Sequence, residues 1–254
     1  SATPFPPNGR GADMHGIRPR QKVIQADWQG YMAARAERAQ DEMLKRFFDT
    51  PMPDPDTPLS EVPMVALDME TTGLDERRHA IVSIGVVPFT LGRIPMAQRR
   101  YWVVKPSRPL DETSIAYHHI THSEIADAPD LDDVLDELLT VLAGRIVVVH
   151  FRNIERPFLD AAVKARRGEG VLFPMIDTMS LEARLHRQTL WARFRRWLGR
   201  PPVSIRLNAS RERYGLPAYQ GHHALVDALA TAELLQAQIA NRYTPDTPLK
   251  ALWC

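Results

Sequence analysis

The run Val65-Ala66-Leu67-Asp68-Met69-Glu70-Thr71-Thr72-Gly73-Leu74 constrains this chain more than any other stretch. Its first half is continuously apolar, as in a strand covered on both faces. It then shows two carboxylates with one residue between them. Side chains at i and i+2 of a strand share a face, so Asp68 and Glu70 project side by side. Like charges that close repel, and burying either without a partner is expensive. A cation between them removes both difficulties. The Thr-Thr-Gly that follows ends the strand in a turn where backbone can approach a ligand. The expectation is a divalent-metal site at the end of a central strand. The alternative is a solvated strand end leading into a turn, and acids further along the chain decide between the two.

The totals bound the setting. A chain of 254 residues allows one large domain with an appendage, or two small ones. Lys+Arg 32 against Asp+Glu 31 leaves a net charge of +1, so only the distribution of charge can speak about nucleic acid. A single cysteine, Cys254, excludes an internal disulfide and a cysteine-rich zinc site, and suits a reducing cytoplasm. No apolar run approaches the ~20 residues that span a bilayer, and no signal peptide opens the chain, so no membrane partner is expected.

Residues 1–13 are small, polar and Pro/Gly-rich, and are expected to be an expression remnant or a disordered lead before Met14. Residues 14–62 are expected to form a helical N-terminal extension and a Pro-rich linker. Trp28, Tyr31, Met32, Leu44, Phe47 and Phe48 recur at helical spacing within 21–48, which predicts one or two amphipathic helices broken at Gly30. Five prolines in 49–63 predict a stiff extended connection. The helices are expected to cover the main domain or to meet a homodimer or protein partner.

Strands are predicted at 64–69, 81–89 and 97–105, joined by short connections into an antiparallel meander. A short helix at 111–117, a helix at 130–142, a buried strand at 145–150, a helix at 155–167, a short strand at 172–177 and an Ala-rich helix at 224–239 follow. The expected fold is α/β: a mixed central sheet, three antiparallel meander strands plus two parallel strands, flanked by helices. Residues 244–254 form a tail. Segment 184–214 stands apart, with nine arginines opposed only by Glu212 and with Trp191, Phe194, Trp197 and Tyr214 interleaved. It either tracks a phosphate backbone or forms a solvated helix face with Trp191 and Trp197 packed inward.

Further acids lie where the strands and helices can bring them to Asp68 and Glu70. Glu155 follows the buried strand in His150-Phe151-Arg152-Asn153-Ile154-Glu155-Arg156-Pro157-Phe158-Leu159. Asp227 lies on the first turns of the last helix, and His222, five residues earlier, can lean from its loop towards the same point. An acid pair at a strand end, an acid after a second strand, and His-x4-Asp at a helix start resemble the DEDDh exonucleases. These are the DnaQ-like 3′→5′ exonucleases of the ribonuclease-H-like fold. The resemblance covers 63–243. Leu67-Asp68-Met69-Glu70-Thr71-Thr72-Gly73-Leu74 is close to the family's DxETTGL, and His222-His223-Ala224-Leu225-Val226-Asp227-Ala228 is similar to its H-x4-D-A. Ile120-Thr121 with Ala128-Pro129, and Ile176-Asp177-Thr178, resemble its intervening segments. The middle motif departs: Glu155 stands where the family has Asp, and Phe151 where it has Asn. Asp160 is the alternative acid.

The resemblance implies hydrolysis of a phosphodiester at a 3′ end with release of nucleoside 5′-monophosphates, on DNA in preference to RNA and on single-stranded or frayed ends. It implies two divalent cations, Mg²⁺ or Mn²⁺, roughly 3.5–4 Å apart. Asp68 would bridge them, with Glu70 and Asp227 on one and Glu155 on the other through water. His222 would be the general base, with His223 as competitor. Thr71, Thr72 and Gly73 would hold the terminal 3′-OH, Leu74 would wedge against the last base, and Arg193, Arg195 and Arg196 would contact the strand. Two rival readings are an exoribonuclease and a nucleic-acid-binding or interaction module weakened in catalysis. His118, His119 and His122 are expected to be loop and surface histidines.

Overall fold

Residues 27–107 and 120–254 are described in the computed structural model. The helix expected at 111–117, and His118 and His119, lie outside them. The first helix, α1 (Trp28–Arg38), starts where the Asp27 carboxylate accepts the Gly30 amide at 2.8 Å. Gly30 therefore sits inside the helix, not at the break expected there. The break falls at Ala39-Gln40, where the Glu169 carboxylate takes the Gln40 and Asp41 amides at 2.7 and 2.9 Å. Asp41 then caps α2 (Glu42–Asp49) through the Met43 and Leu44 amides.

The linker is not a free connection. Leu59 and Val62 are fully buried. The Leu59 and Ser60 amides donate to Thr247 and Pro245 carbonyls, so the segment before the first strand is clasped to the one after the last helix.

Among the described residues the sheet has five strands: β1 (Met64–Thr71), β2 (Ile81–Phe89), β3 (Arg100–Val103), β4 (Ile146–Val149) and β5 (Met175–Asp177). Their order is β3-β2-β1-β4-β5, with β1–β2 and β2–β3 antiparallel and β1–β4 and β4–β5 parallel. This is the expected mixed sheet. The third strand is shorter than expected because residues 96–98 form a 3-10 turn.

Strand alternation divides the core into two layers. Val65, Leu67 and Met69 of β1 face one layer with Phe47, Phe48 and the buried stripes of α4 (Leu131–Leu142) and α5 (Arg152–Arg167). Met64 and Ala66 face the other, against Ala228, Ala232, Leu235 and Ile239 of α9 (Ala224–Arg242). The N-terminal helices α1 and α2 thus place their apolar faces in the core of their own chain. The remaining α-helices among the described residues are α3 (His122–Ala126), opened by a Thr121/Glu124 capping box, and α6 (Thr178–His186), α7 (Leu190–Trp197) and α8 (Leu207–Arg213). Among the described residues no helix is long and apolar enough to cross a membrane.

Candidate active site

Asp68 and Glu70 have the parity of Met64 and Ala66, so both carboxylates emerge on the face covered by α9. Carboxylate oxygens of Asp68, Glu70 and Asp227 lie within 4.8 Å of one another. Gly85 makes this approach feasible. It pairs with Asp68 across β1 and β2, and a Cβ on it would meet the Ala224 and Leu225 backbone at 2.4 Å. The start of α9 therefore rests directly on the sheet, and Asp227, in the first turn, reaches the strand acids.

Glu155 approaches this cluster from α5, near enough for its charge to act on Asp68, but lies outside the group of oxygens within 4.8 Å. It is 3% exposed, and its Oε2 has no hydrogen-bond partner. Burial pushes its carboxyl well above the usual range, and the Asp177 and Glu70 charges add to this. Asp68 is pushed up by burial and by Glu155, Asp227 and Glu70. Asp227 is pushed up to about 6, mainly by burial and Glu70, with the His222 amide opposing. That amide donates to Asp227 Oδ2 at 3.1 Å, while Oδ1 has no partner. Four converging acids, with unpartnered buried oxygens on two of them, form a site short of positive charge. An all-oxygen, carboxylate-rich donor set fits a hard divalent cation.

The start of α5 is held in an unusual conformation. Phe151 has φ 96°, in the left-handed region that favours glycine and asparagine. The buried Asp177 at the end of β5 takes the Phe151 amide at 2.9 Å and the Arg152 amide at 3.2 Å, and also the Met179 amide and the Ser180 hydroxyl. Asp177 is thus the clamp that sets where Glu155 points. The sequence signal for this role was the Asp-Thr pair after the last short strand. Asp160 is not in the cluster: its carboxyl turns to the backbone of Gly170 and Val171.

The two histidines separate by environment. His222 is exposed, has φ 66°, and lies beside Asp227. The His223 ring stacks on Tyr101 with centroids 4.5 Å apart. In the turn after β1, the Thr71 hydroxyl donates to the Gly73 carbonyl at 2.7 Å and the Thr72 hydroxyl accepts the Ala80 amide at 3.0 Å. A Cβ on Gly73 would strike the His79 ring. Leu74 is 79% exposed beside this turn.

Sequence reasoning missed His150 as a structural anchor. Its Nε2 meets the Ile205 carbonyl at 3.1 Å and its Nδ1 the Thr178 hydroxyl at 2.8 Å. Burial lowers its pKa to about 4; Nε2–H donates to the Ile205 carbonyl, and the Thr178 hydroxyl beside Nδ1 also lies within hydrogen-bond reach of the Val149 carbonyl at 3.1 Å. Arg193, Arg195 and Arg196 lie on α7, none of whose residues is buried. Trp191 and Trp197 point to solvent, so the inward packing weighed for them is absent.

A family model described as an exonuclease matches residues 65–235. The chain is similar to the PolC-type DNA polymerase III of Thermotoga petrophila, 30% identical over 179 residues, covering 70% of this chain and 12% of that protein. Its fold is also similar to Exonuclease X in complex with 5′-overhanging duplex DNA. There the identity is 25% and the TM-score 0.54, over 73% of this chain and 97% of the other. A likeness of fold extends to the nuclease domain of 3′hExo, a DEDDh family member bound to rAMP. In that case identity is 15% and the TM-score 0.56, over 71% and 92% of the two chains. The chain therefore belongs to the exonuclease family, and it spans about an eighth of the length of the polymerase relatives that it matches.

Proposed function

We propose that this chain cleaves the last phosphodiester at the 3′ end of a nucleic acid, single-stranded or frayed DNA in preference to RNA, and releases nucleoside 5′-monophosphates. The convergence of Asp68, Glu70 and Asp227 oxygens within 4.8 Å at the end of β1 is the observation that supports this most. These three acids would hold Mg²⁺ or Mn²⁺, with Glu155 completing the set. When bound, such cations supply an activated water and neutralise charge building on the phosphate and the leaving oxygen.

The chain's own groups do the rest. His222 takes the proton from the attacking water, since its imidazole is exposed and its backbone amide is bound to Asp227. The turn formed by Thr71, Thr72 and Gly73 receives the terminal 3′-OH, and the exposed Leu74 packs against the last base. Arg193 and Arg196, exposed on α7, contact the phosphates behind it, whereas Arg195 is half-buried. The cytoplasm is the setting proposed for this reaction.

Digestion of 5′-labelled single-stranded DNA, single-stranded RNA, duplex and mismatched duplex with Mg²⁺ or Mn²⁺ tests the reading. The expected result is stepwise shortening from the 3′ end, fastest on single-stranded DNA. Asp68→Ala and Asp227→Ala should abolish it, and His222→Ala should lose far more activity than His223→Ala. Wild-type rates in Asp68→Ala would overturn the metal site. No shortening of any substrate by the wild-type protein in Mn²⁺ would overturn the reaction itself.

A further inference from the structure

Helix α7 carries its apolar stripe on the wrong side for a soluble protein. Leu190, Trp191, Phe194, Trp197 and Leu198 fall on one face at helical spacing, and they are 80%, 67%, 46%, 79% and 52% exposed. Ala192 and Arg195, on the opposite face, are the half-buried positions that turn towards the rest of the chain. A contiguous apolar patch turned outward marks a surface that meets something.

Charge narrows what it meets. Arg193 flanks the stripe in the open, Arg196 is exposed on the far side of the same helix, and no acidic residue lies between Glu182 and Glu212. The occupant is therefore anionic. Ring geometry narrows it further. Trp191 and Phe194 lie 5.8 Å apart at 29°, and Phe194 and Trp197 5.9 Å apart at 30°. The three rings form a near-parallel ladder whose two outer members are indoles open to solvent. Flat faces beside cations suit bases and phosphates, because every base has a π-face to stack.

The segments on either side of α7 are tied to each other and to the active-site edge. Arg187 binds the Val203 carbonyl at 3.3 Å, and the Ile205 carbonyl is bound by His150. His150 directly follows β4 and lies five residues ahead of Glu155.

We propose that α7 is a docking surface for single-stranded nucleic acid, on which Trp191 and Trp197 stack nucleotides upstream of the 3′ end being cleaved. This rests on the exonuclease reading and adds to it the form of substrate: strands long enough to reach α7 bind better than short ones.

The test compares wild type with Trp191→Ala/Trp197→Ala, both exposed positions whose truncation leaves the core untouched. KM and kcat are read on a long 5′-labelled oligothymidylate and on a trinucleotide. Anisotropy in an Asp68→Ala background reads binding of the same long strand without cleavage. The KM for the long strand should rise about tenfold or more, with a matching loss of anisotropy affinity. The trinucleotide KM should stay within about twofold. Equal changes on both substrates, or no change on either, would overturn the docking surface. So would an unaltered oligonucleotide affinity with loss of sedimentation on phosphatidylglycerol vesicles, which would assign α7 to a lipid surface. If the wild type shortens neither substrate, the exonuclease reading fails, and the anisotropy comparison still decides the docking.

Discussion

Asp68 lies opposite Gly85 in the β1–β2 ladder, and the missing side chain of that glycine is what admits the Ala224-Leu225 backbone to the sheet. One absent methyl group thus controls how near Asp227 comes to Asp68. Gly85→Ala should push α9 outward and cut the rate of nucleotide release about a hundredfold, the scale of a 1 Å misplacement. Overpacking should also lower stability by about 1–3 kcal/mol, seen in thermal unfolding. An active, equally stable variant would show that α9 has room to move.

The acid cluster should destabilise the metal-free fold. Asp227 has its pKa raised from 3.8 to about 6, so its folded form holds a proton more firmly than the unfolded chain does. The stability this contributes is fully present below pH 3.8 and lost as the pH rises through about 6. Asp227→Asn should therefore be more stable than wild type by roughly 1–2 kcal/mol at neutral pH without metal, while losing activity. Mg²⁺ should raise the wild-type melting temperature and move the variant much less. Thermal melts across pH 4 to 8, with and without Mg²⁺ and EDTA, read both effects.

Glu155 sits in the first turn of α5 with one oxygen unpartnered, whereas Asp160 faces the 170–171 backbone. Glu155→Ala should lower activity on the order of a hundredfold and Glu155→Asp much less. Asp160→Ala should keep near wild-type rates, measured on a 5′-labelled oligonucleotide. A crippled Asp160→Ala with an active Glu155→Ala would reassign the fourth acid.

Phe151 holds a left-handed backbone that asparagine adopts more readily. Phe151→Asn should raise stability by about 1 kcal/mol in urea unfolding and retain activity. A loss of stability would mean that the phenyl ring contributes more by packing than the backbone loses by strain.

What could be read from the sequence was local or periodic. The parity of Asp68 and Glu70, the strand 146–149 and the stripe of α4 each follow from a few adjacent residues. Gly30 misled because a glycine's weak helix propensity gives way to a cap at Asp27. The true break needs the Glu169 carboxylate, 128 positions from Asp41. The Asp-Thr pair at 177–178 marked a position but not the clamp it forms, and the anchoring role of His150 escaped for the same reason. Their roles lie in contacts to Phe151 and Ile205, which are distant along the chain and announce nothing by spacing. The Arg/Trp segment gave its composition but not its orientation, because an outward apolar stripe and an inward one share a sequence pattern.

Helix α5 is gripped at both ends. At its start Asp177 holds the Phe151 and Arg152 amides; at its end Arg167 pairs with Asp41, Asp132 and Asp136 at 3.1, 2.7 and 3.0 Å. Beyond it, Arg35 binds the Gly170 carbonyl at 3.0 Å. Sixteen residues of helix form a strut about 24 Å long. The N-terminal helices hold its far tip and Glu155 rides on the near one. A disturbance at Asp41 or Arg35 therefore travels as a change of aim, and would dull the fourth carboxylate while every group in the acid cluster stays chemically intact.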